Sequence, residues 1–163
     1  MAIDRMERVR NPAKLWRAFY DAYGPVVMLQ AFGWTDAASG LHDKGERVYE
    51  FFAGHERIGW AAVIPHTNGI EWYLSRGVWP KHQGHGYAQR IGDLMVDLAF
   101  KELGALAVTV EVYDTNRKHL ARMKRLARGL RRPEDALWRP SGRVTLPKPG
   151  HWRFTRLKPE AKP

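Results

Sequence analysis

The chain has no cysteine. That excludes disulfides, a thiolate nucleophile and cysteine-built zinc sites. It suits a reducing compartment, so a cytoplasmic protein is expected. No apolar run approaches the ~18 residues that a membrane-spanning helix needs. The opening Met1-Ala2-Ile3-Asp4-Arg5 is charged and lacks the apolar stretch of a secretory leader, so no signal peptide is expected. Acidic residues are scarce in one part only. Residues 1–116 hold 12 Lys/Arg and 14 Asp/Glu, net −2, whereas residues 117–163 hold 15 against three, net +12. Such asymmetry points to an acidic partner: nucleic acid, a phosphate-rich cofactor or an acidic protein surface. What is abundant is apolar side chain. At 44% hydrophobic residues and seven Trp, 163 residues suffice to bury the core of a single domain.

The order of elements follows from periodicity. Asn11-Pro12 reads as a helix start, with Leu15, Phe19 and Ala22/Tyr23 at helical spacing and Gly24-Pro25 as the stop. Val26–Phe32 is apolar and fits helix or strand. Asp36–Gly45 reads as a loop. Arg47–Ala53, Ile58–Pro65 and Ile70–Val78 read as an antiparallel meander, with turns at Gly54-His55-Glu56 and His66–Gly69. From Gly86 to Leu103 the spacing becomes helical, with Ile91, Leu94, Met95 and Leu98 as the stripe and Gly104 after it. In Ala107–Tyr113, Val108, Val110 and Val112 alternate with Thr109, Glu111 and Tyr113, as a strand requires. Asp114-Thr115-Asn116 turns into a helix reaching about Arg128. Pro133, Pro140, Pro147 and Pro149 mark a looser segment, and His151–Leu157 reads as a last strand. This pattern predicts an α/β (α+β) fold with a mixed, mostly antiparallel sheet. Its parts would be a variable helical segment over 1–46, a core over 47–128 and a basic C-terminal part over 129–163.

The strongest local signal is Val78-Trp79-Pro80-Lys81-His82-Gln83-Gly84-His85-Gly86-Tyr87-Ala88, a strand running through Gly-x-Gly into a long helix. The free N–H groups and the dipole of a helix start favour an anion, and glycines let a pyrophosphate approach the backbone. No Gly-Lys-Ser/Thr follows, so it is not a P-loop. The pattern Gln83-x-x-Gly86-x-Ala88, the preceding Val78-x-Pro80 and the later Val110-Glu111-Val112-Tyr113-Asp114-Thr115-Asn116 together resemble two motifs of the GNAT N-acetyltransferases. The resemblance is good from Arg47 to about Arg128 and loose outside it. It implies a sheet splayed between its central strands with acetyl-CoA in the V. The pyrophosphate would lie on the backbone of Gln83, Gly84, His85, Gly86, Tyr87 and Ala88, and the pantetheine along the Arg76–Val78 edge. Asn116 would cap the next helix and hydrogen-bond the pantetheine.

Acetyl transfer to a primary amine needs a neutral amine, a polarised thioester carbonyl and a proton for the leaving thiolate. Glu111 is the first candidate base, five residues before Asn116, a spacing that resembles the catalytic Glu of ribosomal-protein N-terminal acetyltransferases. Glu71 on the preceding strand is the rival. Many relatives place a tyrosine donor where this chain has Met123, which carries no proton to give. His119 takes its place as candidate donor. Tyr73 and Tyr113 are candidates to line the acceptor pocket. His82 and His85 lack a carboxylate partner at ligand spacing, so no metal site is expected.

Residues 117–132 carry eight Lys/Arg and no acid. With Trp138, Arg139, Arg143, Trp152, Arg153 and Arg156 they suggest nucleic-acid binding through residues 117–158, by phosphate contacts and stacking. Three readings therefore stand: an acetyl-CoA-dependent N-acetyltransferase, a protein of that fold acting on or binding nucleic acid, and a catalytically inactive binding module. Monomer and homodimer are both compatible with the sequence.

Overall fold

The computed structural model describes residues 2–40, 45–128 and 137–159. The order of elements is β1 (Arg5–Val9), α1 (Ala13–Tyr23), α2 (Pro25–Phe32), β2 (Arg47–Ala53), β3 (Glu56–Pro65), β4 (Glu71–Val78), α3 (Tyr87–Glu102), β5 (Ala107–Tyr113), α4 (Arg117–Arg128), β6 (Arg139–Val144) and β7 (His151–Leu157). The strands form one seven-stranded sheet in the order β1-β2-β3-β4-β5-β7-β6. Every neighbouring pair is antiparallel except β4 and β5.

Side-chain alternation divides this sheet between two cores. Ala61 and Val63 on β3, Trp72 and Leu74 on β4, and Val108, Val110 and Val112 on β5 pack with the stripe Ile91, Met95 and Leu98 of α3. Val48, Trp60 and Ala62 point the other way, against Leu15, Trp16 and Phe19 of α1 and Met28 of α2. The second core is aromatic: Trp16 meets Trp60 edge-on at 4.5 Å, and Phe19 meets Trp60 at 5.2 Å. Bulk there demands a gap in the sheet. Trp60 pairs with Gly77, where a Cβ would lie 2.5 Å from Phe19 and 2.6 Å from Trp60.

Two strands depart from the sequence reading, and one open segment is decided. The N-terminal part is not only helical, because β1 pairs along β2 from Arg5/Phe52 to Val9/Val48. Its residues are largely exposed, so it lacks the alternation that marks an interior strand. The proline-marked segment contains β6, whose Pro140 sits on the sheet's outer edge beside a register shift, where no ladder N–H is needed. The ambiguous Val26–Phe32 is helical, started by Pro25 and ended by Gly33. At the first helix, Pro12 rather than Asn11 takes the N-cap position, and the Asn11 side chain reaches the Ala13 N–H at 3.4 Å. Residues 41–44 of the expected loop, and Pro133, lie outside the described residues.

Gly77→Ala is expected to destabilise the fold by about 1–3 kcal/mol, because an overpacked core shifts rigid rings. Urea unfolding should show a lower midpoint at unchanged slope; an unchanged midpoint would contradict this packing.

Candidate active site

Parallel pairing between β4 and β5 runs from Glu71/Ala107 to Leu74/Val110 and stops there. Beyond it β4 stays on β3 to Val78, and β5 stays on β7 to Tyr113. Each strand follows its outer neighbour, so a gap opens between them. A cavity of about 430 Å³ enters this gap, walled by Phe32, Gly33 and Trp34 on one side and by Tyr73, Glu111, Tyr113, Asn116 and His119 on the other. A second cavity, about 210 Å³, lies between α3 and α4 against Met123 and Trp138. Arg76 lines both.

The glycine loop stands at the end of β4. Gly84 and Gly86 hold φ of +79° and +81°, which side chains rarely adopt, and a Cβ on either would meet nothing within 4 Å. The glycines are therefore required by backbone conformation and not by packing, and the space before α3 stays open. No side chain caps α3, so its first N–H groups face that space. Gln83 enters the loop differently from its neighbours. Its N–H donates to the Pro80 carbonyl at 3.3 Å, and its side-chain amide donates to the Tyr23 hydroxyl at 2.5 Å. Tyr23 in turn donates to the Val78 carbonyl, and burial pushes its phenol up to about 12. The C-terminus of α1 thus ties the end of β4 to the loop. His82 is buried against Glu56 at 3.1 Å, while His85 is exposed beside Tyr87. Among the described residues no group of three or more His, Asp or Glu is placed to hold a metal ion.

Glu111 lines the first cavity from the β5 face opposite the three valines. Its carboxylate lies 3.4 Å from Arg153 Nε and 3.5 Å from His151 Nε2, both on β7. Neither nitrogen makes a hydrogen bond, so Arg153 forms a looser ion pair and His151 a polar contact beside it. Tyr73 stands between two carboxylates. Burial first, then Glu71 and Glu111, raise its phenol against the opposing pull of Arg153. Glu71 thus faces the same side as Tyr73, yet it does not line the cavity. Tyr113 is raised by burial and by Glu111, and its ring fills the space a Cβ on Gly33 would take. Asn116 precedes α4 and its carbonyl accepts the Leu120 N–H, but its side chain makes no cap bond among the described residues.

On the other side of the gap the chemistry is cationic. The Arg76 guanidinium rests over α3, so close that a Cβ on Gly92 would collide with its Nη1. Burial, then Arg122, lower it to about 10, against the favourable pull of Asp93. It is still protonated at neutral pH. Burial, Arg76 and Arg122 together push His119 down to about 3. His119 is therefore a neutral imidazole, not a standing imidazolium donor, and sequence alone had no means of showing this. Arg122 does not point away from the cleft; it reaches across to Gln89 on α3. Met123 is buried in the core.

Much of the basic segment is engaged within the fold. Arg143 holds Asp114 at 2.7 and 2.9 Å, and Arg156 lies 3.4 Å from Asp93. Trp138 is buried, and Trp152 has Lys124 and Arg143 over its ring. Neither tryptophan is presented for stacking on a base. Arg117, Lys118, Arg125 and Arg128 remain exposed on α4; Arg131 and Arg132 lie outside the described residues.

The depressed His119 has a consequence for stability. An unfolded chain takes up its proton near 6.5, the folded chain only near 3, so folding stability is full above about 6.5 and declines as pH falls from there toward 3. His119→Gln, which does not titrate, should flatten part of the fall in unfolding midpoint between pH 7 and 4.5. Superimposable pH profiles of the two proteins would refute the neutral buried ring.

Compared by sequence, no family model and no curated protein matches the chain. Compared by structure, it is similar to a spermidine N-acetyltransferase from Vibrio cholerae solved with CoA and spermine, at TM-score 0.69 and 14% identity over 94% of each chain. A second spermidine/spermine N-acetyltransferase structure from V. cholerae, with manganese ions, aligns at 0.63 and 15% over 94% of this chain and 91% of that one. A protein of T. thermophilus assigned as an acetyltransferase aligns at 0.68 and 17% over 97% and 88%. The gap, the loop and these likenesses agree: the chain has the fold of the GNAT acetyltransferases.

Proposed function

We propose that the protein transfers an acetyl group from acetyl-CoA to a primary amine. One observation carries this reading: where β4 and β5 part, Arg76 lines two cavities at once, beside a helix start with no side-chain cap that follows two left-handed glycines. The fold supports it, because the similar structures are N-acetyltransferases and one holds CoA. Such a cleft suits two reactants that enter from opposite faces and meet inside the sheet. When bound, acetyl-CoA supplies an already activated acyl group, so the chain's task is largely positioning.

The residues present fit a pyrophosphate. The N–H groups of Gly84 to Ala88 would hold it, because the open space before Gly84 and Gly86 leaves room for its oxygens. Gln83 would act by bracing the loop through Tyr23. The edge of β4 from Arg76 to Val78 would flank the pantetheine, with Asn116 facing it from the turn between β5 and α4. Glu111 would take the proton of the attacking amine, directly or through a water. Glu71 is further from that role because it stands outside the cavity. The V. cholerae enzyme's spermine is a polycation. Here the cavity offers one acid, already ion-paired, and one guanidinium only partly offset by Asp93, which favours an acceptor with a single amine. A cytoplasmic site of action accords with the absence of cysteine. The nucleic-acid reading rests on less, the exposed bases of α4.

CoA at about a hundred times its Kd should stabilise the wild-type protein by ~2.7 kcal/mol. Gly86→Asn keeps the left-handed conformation at a cost of about 1 kcal/mol and puts an amide where the phosphate would sit. It should remain folded and lose the stabilisation by CoA; equal stabilisation of both proteins would remove the loop from the site.

Glu111→Gln keeps the shape and removes the basicity. With an acceptor found by mass spectrometry, kcat should fall about 100-fold while CoA affinity is kept. If Glu71→Gln loses turnover and Glu111→Gln does not, the base is Glu71.

A further inference from the structure

A guanidinium enclosed in a protein ordinarily has a carboxylate against it, since desolvating a charge without compensation is costly. Arg76 has none within bonding distance among the described residues. The acid that acts on it, Asp93 of α3, is itself in an ion pair with Arg156 of β7 at 3.4 Å. The other groups facing Arg76 are Arg122 and His119 of α4, one cationic and one a neutral ring. Gln89 of α3 and Arg122 are joined over the second cavity. The result is a positive centre whose one acidic neighbour among the described residues, Asp93, is shared with Arg156, on a side chain that lines both cavities.

That location is informative. Arg76 lies two residues past the last β4–β5 pair, inside the gap, and a transfer between ligands on opposite faces must place its reacting atoms there. No group at this point can donate a proton readily. Met123 is a thioether, and His119 is unprotonated. Tyr73 and Tyr113 line the same cavity as Arg76, but burial first, and Glu111 with it, raises both phenols and makes them weaker acids. Phosphates have their own cradle at the glycine loop. The negative charge that remains without a partner is that of the leaving sulfur.

We propose that Arg76, assisted by Arg122, is a catalytic residue that holds the sulfur of CoA as a thiolate when it leaves, in place of a protonating side chain. This rests on the transferase reading above. In the transfer the amine's lone pair forms the N–C bond, and the C–S bond breaks with its electron pair on sulfur. The amine's proton passes to Glu111 or to solvent. The thiolate stays paired with the guanidinium and takes a proton from solvent after release. No oxidant or further reactant is needed.

The absence of cysteine makes the test direct, because the bound thiol is the only one in the sample. CoA is titrated on the protein by thiolate absorbance at 240 nm, with desulfo-CoA as reference, and by the pH dependence of its alkylation by iodoacetamide. On the wild-type protein the thiol should ionise about one unit or more below free CoA, as thiols beside arginines do. Arg76→Gln should restore it to within a few tenths of the free value. Arg76→Lys should keep part of the shift, and Arg122→Gln should lose part of it; both serve if Arg76→Gln does not fold. Calorimetry establishes binding first. CoA that binds with an unshifted thiol, or with the same shift in Arg76→Gln, overturns the role of Arg76 and leaves the transferase reading in place. Failure of the wild-type protein to bind CoA overturns that reading, and this proposal with it.

Discussion

The divergence of β4 from β5 is the constraint on which the rest of the structure depends. A parallel pair in mid-sheet would ordinarily continue to the strand ends. Here β3 holds β4 and β7 holds β5 for their full lengths, and sheet twist carries the two apart after Leu74 and Val110. Backbone groups lining the gap lose their ladder partners, and something must satisfy them. Tyr23 does so at the Val78 carbonyl. The remainder form an edge inside the molecule, open to an extended ligand.

Charge within the cleft follows from that geometry. The centre of the gap is positive, and burial, with Arg76 and Arg122 added to it, holds His119 neutral. The rim carries Glu111, set against β7. A cation where bonds change would disfavour an ammonium ion and favour a free amine, and would stabilise whatever negative charge the reaction releases. Glu111, the base of the proposed transfer, lines the same cavity as Arg76 and is set against Arg153. This division of labour differs from one in which a single helix supplies a proton donor.

The uneven charge of the sequence also takes on a structural meaning. Arg143, Arg153 and Arg156 come from the strongly basic end and meet Asp114, Glu111 and Asp93 from the acidic part. Part of the imbalance is thus an internal complementarity, in which β6 and β7 dock on β5 and α3. Among the described residues, α4 carries a stripe of exposed bases. Trp138 and Trp152 serve packing and cation contacts on this side of the sheet.

By itself, the sequence determined the elements whose signals are local. The stripe Ile91, Leu94, Met95 and Leu98 made α3 legible, the alternating valines of 108–112 made β5 legible, and Gly84-x-Gly86 marked the open helix start. These depend on periodicities of one helix turn or two residues, and on φ values that glycine alone adopts freely. Elements whose reasons lie elsewhere in the chain were not legible. β1 is a strand because β2 offers it an edge, and β6 tolerates Pro140 because its own edge is free. The Val26–Phe32 segment became helical through Pro25 and the burial of Met28. Tertiary structure alone decided the electrostatics of the cleft. His119 is neutral because folding buries it and then sets Arg76 and Arg122 against it, and Glu111 is paired because β7 returns beside β5. Desolvation and Coulomb interaction depend on distance in space, and a linear order of residues does not contain that distance.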